Sequence, residues 1–330
     1  MYRILVLAPN WIGDCLMVTP LIRVLKDNFP DSNICVLSHE RVKDVFQNSP
    51  FINEFIEIKD SIGFIDKVKL IRALSLKKFD TALMLKPSFT KSLICKLAGI
   101  KDIAGFRSKK FTFAGIKVNP LSEDSHKMDR YLHILEGLGI EGCGKIPEFF
   151  LSKKGKEKAE EILTYVKKNT RLVVLHPKAN WKLKMWPEEY FAGLADKLIE
   201  ELPVSVIFTG AKDDIPLIER IESFMKNKPY ILAGKTSLGE LAAVLKRVDL
   251  FISADTGIMH LASALKVPLI AVFGATSPYL NGPRGRGIIK VLFKNKRCKL
   301  PCYEFNCQDN ICMKEIKVED VFKQARDVLL

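Results

Sequence analysis

No stretch of this 330-residue chain stays apolar long enough to cross a bilayer. The best candidate, His260 to Ala275, is interrupted by Lys266 and Pro268. The early run Ile4-Leu5-Val6-Leu7-Ala8 is too short for the core of a secretion signal and soon meets Asp14, so a cytoplasmic setting is expected. The first strand-to-helix turn, Ala8-Pro9-Asn10-Trp11-Ile12-Gly13, lacks G-x-G-x-x-G, which disfavours a nicotinamide dehydrogenase. Gly234-Lys235-Thr236 has the end of a phosphate-binding P-loop, but proline holds position 229 where the earlier glycine belongs, so an NTPase is disfavoured too. Helix-turn-helix, zinc-finger and aromatic RNA-binding patterns are all missing, which argues against nucleic acid as partner.

Negative charge is scarce as well. Only 38 Asp and Glu stand against 52 Lys and Arg, a formal charge of +14 that asks for an anionic partner. The excess is local: Lys86, Lys91, Lys96, Lys101, Arg107, Lys109, Lys110 and Lys117 face only Asp102 between residues 86 and 117. A lysine-rich proteome with solvated faces would account for part of it.

The chain is 48% hydrophobic and 27% charged, which is globular, and its length exceeds what one core usually serves. Strands are expected at 3–8, 34–37, 55–58, 81–85 and 103–106, with helices between them. Residues 107–124 read as an irregular basic loop, followed by a helix to about Leu138. A charged helix over 153–169 reads as a bridge. The alternation then restarts at Arg171–His176 and continues through Val204–Thr209, Tyr230–Leu232, Asp249–Ser253 and Val267–Gly274. Two βα runs imply an α/β protein of two Rossmann-like, doubly wound domains facing a cleft, 1–168 and 169–330, with the terminal helix returning to the first. Ligands of such sheets bind beyond the carboxyl ends of the strands.

The most informative stretch is Ala254-Asp255-Thr256-Gly257-Ile258-Met259-His260. A strand feeds a helix there, with Asp255 or Thr256 as cap. The free N–H groups and helix dipole would favour an anion, Gly257 would let it approach, and His260 could donate to it. An ordinary capped helix with a buried histidine fits the stretch equally well.

Eight cysteines fall into two sets. Cys15, Cys35, Cys95 and Cys143 are scattered and read as reduced core residues. Cys298, Cys302, Cys307 and Cys312 cluster with spacings unlike the paired knuckles of structural zinc sites. Reduced structural thiols are expected there ahead of a metal.

Five segments together carry a family resemblance. They are Ile4–Asp14 with Pro20, Leu85-Lys86-Pro87-Ser88-Phe89-Thr90-Lys91-Ser92, Lys184-Met185-Trp186-Pro187, Asp255–His260, and Phe273-Gly274-Ala275-Thr276-Ser277-Pro278. In this order they resemble the ADP-heptose–lipopolysaccharide heptosyltransferases of glycosyltransferase family 9, the heptosyltransferase II branch more than the I branch. The resemblance implies a GT-B fold and inverting transfer of heptose from ADP-heptose to a lipid-A-linked core acceptor at the inner face of the inner membrane, with no required cofactor. Another nucleotide sugar on the same fold is the alternative; a basic nucleic-acid-binding protein is a remote one.

The resemblance makes Asp14 the catalytic base, although a helix-cap role fits the same position. Lys184 becomes the diphosphate's cation, although loop lysines are usually just exposed. Thr236, Asp255, Thr256, Gly257 and His260 join Lys184 at the donor, and Lys91, Arg107 and Lys109 fall to the acceptor. Two features depart from the family: Pro177-Lys178-Ala179 replaces Pro-Gly-Ala, and no carboxylate clearly matches a ribose partner, though Asp213 and Asp214 are near.

Overall fold

Ile4, Leu5, Val6 and Leu7 are apolar in succession, as a strand covered on both faces must be, and all four are buried. In the computed structural model, which describes every residue except 60–62, 109–114, 143, 168, 295–297, 303, 305 and 306, they form the centre of a six-stranded parallel sheet. Lys109, Lys110 and Cys143 therefore lie outside the described residues.

The first unit, residues 1–150, runs β1 (Arg3–Leu7), α1 (Ile12–Asn28), β2 (Asn33–His39), α2 (Lys43–Phe46), β3 (Glu54–Ile58), α3 (Phe64–Lys77), β4 (Thr81–Met84), α4 (Phe89–Leu97), β5 (Asp102–Phe106), β6 (Ile116–Val118) and α5 (Lys127–His133). Its strand order is β3-β2-β1-β4-β5-β6. Proline at position 20, inside α1, cannot donate to the Leu16 carbonyl. The Thr19 hydroxyl donates to it instead at 2.8 Å and accepts from the Glu148 N–H at 2.9 Å.

The second unit, residues 151–330, runs α6 (Lys153–Leu163), β7 (Arg171–His176), α7 (Glu188–Glu201), β8 (Val204–Phe208), α8 (Ile215–Ser223), β9 (Tyr230–Ile231), α9 (Leu238–Leu245), β10 (Leu250–Ala254), α10 (Gly257–Ala264), β11 (Leu269–Phe273), α11 (Pro278–Asn281), β12 (Ile289–Phe293), α12 (Ile311–Lys314) and α13 (Val318–Leu329). Its order, β9-β8-β7-β10-β11-β12, repeats that of the first. Both are doubly wound, with the order reversing between β1 and β4 and again between β7 and β10.

Three expectations are corrected. The basic loop contains a strand: β6 pairs with β5 through Ala104–Ile116 and Phe106–Val118. The helix after it turns 3-10 over Ile134–Leu138. The chain divides after Phe150, not at 168, because α6 packs on α9; there Gly155 leaves only 3.1 Å between its missing Cβ and the Gly239 carbonyl. The expected bridge helix is thus part of the second unit and ends at Leu163. The terminal helix α13 packs on α7 and β10 to β12 within the second unit.

Candidate active site

The reversal point of the second sheet lies between β7 and β10, and the loops leaving those strands carry Lys184 and Asp255. The first loop is anchored by Trp186. Its side chain is fully buried, meets Tyr190 and Phe191 edge-on, and donates its indole N–H to the Ile316 carbonyl at 2.8 Å. The tryptophan of the K-x-W-P segment is therefore a fixing point, and the 3-10 turn Lys182–Lys184 before it presents the lysine.

Lys184 Nζ donates to Asp255 Oδ2 at 2.6 Å, and Thr276 Oγ1 donates to the same oxygen at 2.6 Å. Asp255 is buried, whereas the lysine side chain retains 20% exposure. A lysine has three donors, so the contact with Asp255 leaves two for an incoming anion. The Trp181 ring lies 4.9 Å below the same ammonium. Thr276 and Trp181 were not singled out from the sequence; Thr276 lay inside the Phe273–Pro278 segment, whose hydroxyl was the available signal.

Thr256, not Asp255, caps α10: its hydroxyl accepts from the Met259 N–H at 3.2 Å. The N–H groups of Gly257 and Ile258 have no acceptor within the helix, and both residues are part-exposed. His260, one turn in, is buried. The site thus combines a cation held by a carboxylate with an open helix N-terminus, an arrangement suited to phosphate oxygens. Gly274, in the neighbouring loop, is a packing glycine: a Cβ there would fall 2.5 Å from the Met313 sulfur. Thr236 follows the edge strand β9, two strands from β7, and no described contact joins it to Lys184 or Asp255.

Two further groups support the loops. The Asp214 carboxylate accepts from the Ala211 N–H at 2.7 Å and so closes the turn after β8, while Asp213 is exposed. His176, at the end of β7, is buried beside Phe251, with Nδ1 3.2 Å from the Thr209 hydroxyl. Burial drives its pKa from 6.5 to about 4, against the opposing pull of Asp214. The unfolded imidazole binds its proton first, so this contribution to stability is whole above the unfolded value near 6.5 and is lost as pH falls toward 4. Urea melts at pH 7 and pH 5 should differ by about 2 kcal/mol from this residue, and His176→Asn should remove that difference. An unchanged pH dependence in the variant would assign the loss to other groups.

In the first unit the reversal lies between β1 and β4. Asp14 sits in the first turn of α1 behind Trp11, the N-cap residue. Its carboxylate meets Lys127 Nζ at 2.6 Å, from the start of α5, and so is ion-paired, not capping. The Pro9 carbonyl accepts from the Cys15 thiol at 3.0 Å and the Ser38 hydroxyl at 2.5 Å, fixing the turn that holds Asp14. Burial, reinforced by the charge of Asp14, keeps the Cys15 thiol protonated well above its ordinary range. Trp11 is exposed, with the Arg41 guanidinium 5.5 Å from its ring centroid.

Lys91 lies in the first turn of α4, whose cap is Ser88. Burial, then repulsion from Lys86, pushes its ammonium below the usual lysine range, partly opposed by Cys95 and Cys15. Arg107 is exposed at the end of β5 and donates to Asn119 Oδ1 at 3.0 Å. Lys127 and Arg41 were missed in the sequence because each reaches its partner through the fold.

Around the cysteine cluster, among the described residues, no group of three or more His, Cys, Asp or Glu is placed to hold an ion. Cys312 is buried in α12, and burial, with the nearby Cys298 and Cys302, raises its thiol to about 11. Cys307 Sγ accepts from the Asn310 N–H at 3.4 Å.

Escherichia coli K12 lipopolysaccharide heptosyltransferase 3 is 28% identical over 96% of this chain and 95% of its own. A glycosyl transferase family 9 structure from Veillonella parvula superposes with TM-score 0.87 at 25% identity, over 99% of this chain and 97% of that one. The E. coli ADP-heptose lps heptosyltransferase II shares the two-unit GT-B fold, with TM-score 0.84 at 22% identity over 100% and 98% of the two chains. The profile of glycosyltransferase family 9 (heptosyltransferase) matches residues 67–310. The chain belongs to that family.

Proposed function

We propose that this chain transfers L-glycero-D-manno-heptose from ADP-heptose to the inner core of a lipid-A-linked acceptor, with inversion at the anomeric carbon. Residues 151–330 take the donor and residues 1–150 the acceptor. The observation that carries the reading is the Lys184–Asp255–Thr276 cluster beside the open N-terminus of α10, at the reversal point of the second sheet.

The chemistry is a direct displacement. The acceptor hydroxyl attacks the anomeric carbon as the bond to the diphosphate oxygen breaks, and the hydroxyl proton passes to the Asp14 carboxylate. Charge develops on the departing diphosphate, where the Lys184 ammonium and the N–H groups of Gly257 and Ile258 stabilise it. Asp255 and Thr276 hold the ammonium in place. His260 supports the turn from within, and Thr236 belongs to the rim of the donor loops. The acceptor is anionic and lipid-linked, which draws the enzyme to an anionic membrane face. No described helix is long and apolar enough to cross a membrane.

Turnover of ADP-heptose against a panel of truncated core acceptors tests this reading. Removing charge at Lys91 and Arg107 (Lys91→Gln, Arg107→Gln) should raise the acceptor KM while leaving ADP affinity unchanged. Lys109 is expected to act with them. An equal loss of ADP affinity would move the basic segment away from the acceptor, and no heptose transfer to any acceptor would sink the reaction itself.

A further inference from the structure

The outward face of α3 is unlike any other surface of the described chain. Phe64 is 82% exposed, Ile65 67%, Val68 50% and Leu76 76%. No other element exposes more than two large apolar side chains among the described residues. The opposite face is conventional: Leu74 is buried and Leu70 and Ile71 pack on the core of the sheet. The helix therefore has an apolar stripe on each side, and only one of them is used by the fold.

Positions 65, 68, 72 and 76 fall on one strip by helical spacing, and Arg72 is exposed on it. From residue 65 to residue 76 the strip runs about 17 Å, with Phe64 flanking it. Residues 64–78 carry Lys67, Lys69, Arg72, Lys77 and Lys78 against the single carboxylate of Asp66. Lys77 is occupied by Glu54 at 2.5 Å, but Lys69, Arg72 and Lys78 are exposed. Beside α3 packs α4, which exposes Leu97 and Lys96 in its last turn.

We infer that α3 is an interfacial docking helix for an anionic bilayer, with Phe64, Ile65, Val68 and Leu76 entering the headgroup boundary and Lys69, Arg72 and Lys78 meeting lipid phosphates. The mixture selects this partner. A second protein copy would be opposed by the same cations on both sides, whereas phosphate headgroups satisfy them and acyl chains cover the apolar residues between. The inference extends the membrane reading above and rests on it for the partner, but it uses no residue of the proposed reaction site. Docking by α3 would hold the first unit against the surface in which a lipid-linked acceptor sits.

Cosedimentation of the whole protein with phosphatidylglycerol–phosphatidylethanolamine vesicles, and with phosphatidylcholine vesicles as control, tests it. Wild type should bind the anionic vesicles. Phe64→Ser/Ile65→Ser/Val68→Ser should lower affinity about tenfold or more at both low and high salt, and Lys69→Glu/Arg72→Glu should do so chiefly at low salt. Both variants should retain turnover on a delipidated acceptor within about twofold, which also certifies their fold, because the substituted side chains are exposed. Wild-type vesicle binding in both variants would overturn the inference. So would a wild-type dimer, seen by analytical ultracentrifugation, that the apolar triple variant splits without loss of vesicle binding. If heptose transfer fails for wild type while vesicle binding behaves as described, the reading of the reaction falls and the docking helix stands.

Discussion

Asp14→Asn should cost about 10²–10⁴ in kcat, the ordinary worth of a general base, while ADP affinity and thermal stability change little. Asparagine keeps the size and can still accept from Lys127, whose ammonium meets the carboxylate at 2.6 Å in the native protein. What is lost is the capacity to take a proton. The substitution is also clean structurally, because the turn is held by the Pro9 carbonyl through Cys15 and Ser38, not by Asp14. Single-turnover measurement with saturating donor separates the chemical step from binding. A variant with near wild-type kcat would leave Asp14 as a partner for Lys127 and nothing more.

Lys184→Ala should have two effects that can be pulled apart. It removes a cation from the donor phosphates, so ADP should bind about 10–100-fold more weakly while adenosine is hardly affected. It also strands the buried Asp255 carboxylate, with only Thr276 donating to it. Breaking a buried pair from one side costs more than the pair contributes, and with Lys184 part-exposed we expect a stability loss of about 2–3 kcal/mol. Lys184→Ala/Asp255→Asn should recover most of the stability and none of the ADP affinity. Gly257→Val should weaken ADP by crowding the helix start, and combined with Lys184→Ala should lose less than the sum, since both act on one ligand. Calorimetry at fixed salt and urea melts on the same four proteins report the two effects. Equal losses for adenosine and ADP, or strict additivity, would place the lysine and the helix start at different sites.

The sequence carried the central strands well, because burial on both faces leaves a continuous apolar run such as Val173–Leu175 or Ile4–Leu7. Edge strands leave a weaker trace. Ile116-Lys117-Val118 has one lysine between two apolar residues, and Ile289–Phe293 is half exposed, so neither stood out. The donor loops were legible because each follows a readable strand. Their pairing was not: Lys184 and Asp255 could be placed on one side of a sheet, but the shared oxygen with Thr276 depends on strand order. The affiliation of α6 failed for a related reason. Its amphipathic stripe shows that it packs, while only the fold shows that it packs on α9.

Trp186 ties the Lys184 loop to the Ile316 carbonyl, just before α13. The order in which a ribosome delivers these parts then matters. The first unit is continuous in sequence and has its whole sheet once Phe150 has emerged, so it can fold while the rest is still being made. The lysine loop emerges earlier, but its indole anchor has no acceptor until Ile316 has left the exit tunnel. A nascent chain stalled after the lysine loop has emerged but before Ile316 has would hold a complete first unit and an unseated lysine loop. Truncation before Ile316 should leave the lysine loop in that same unseated condition.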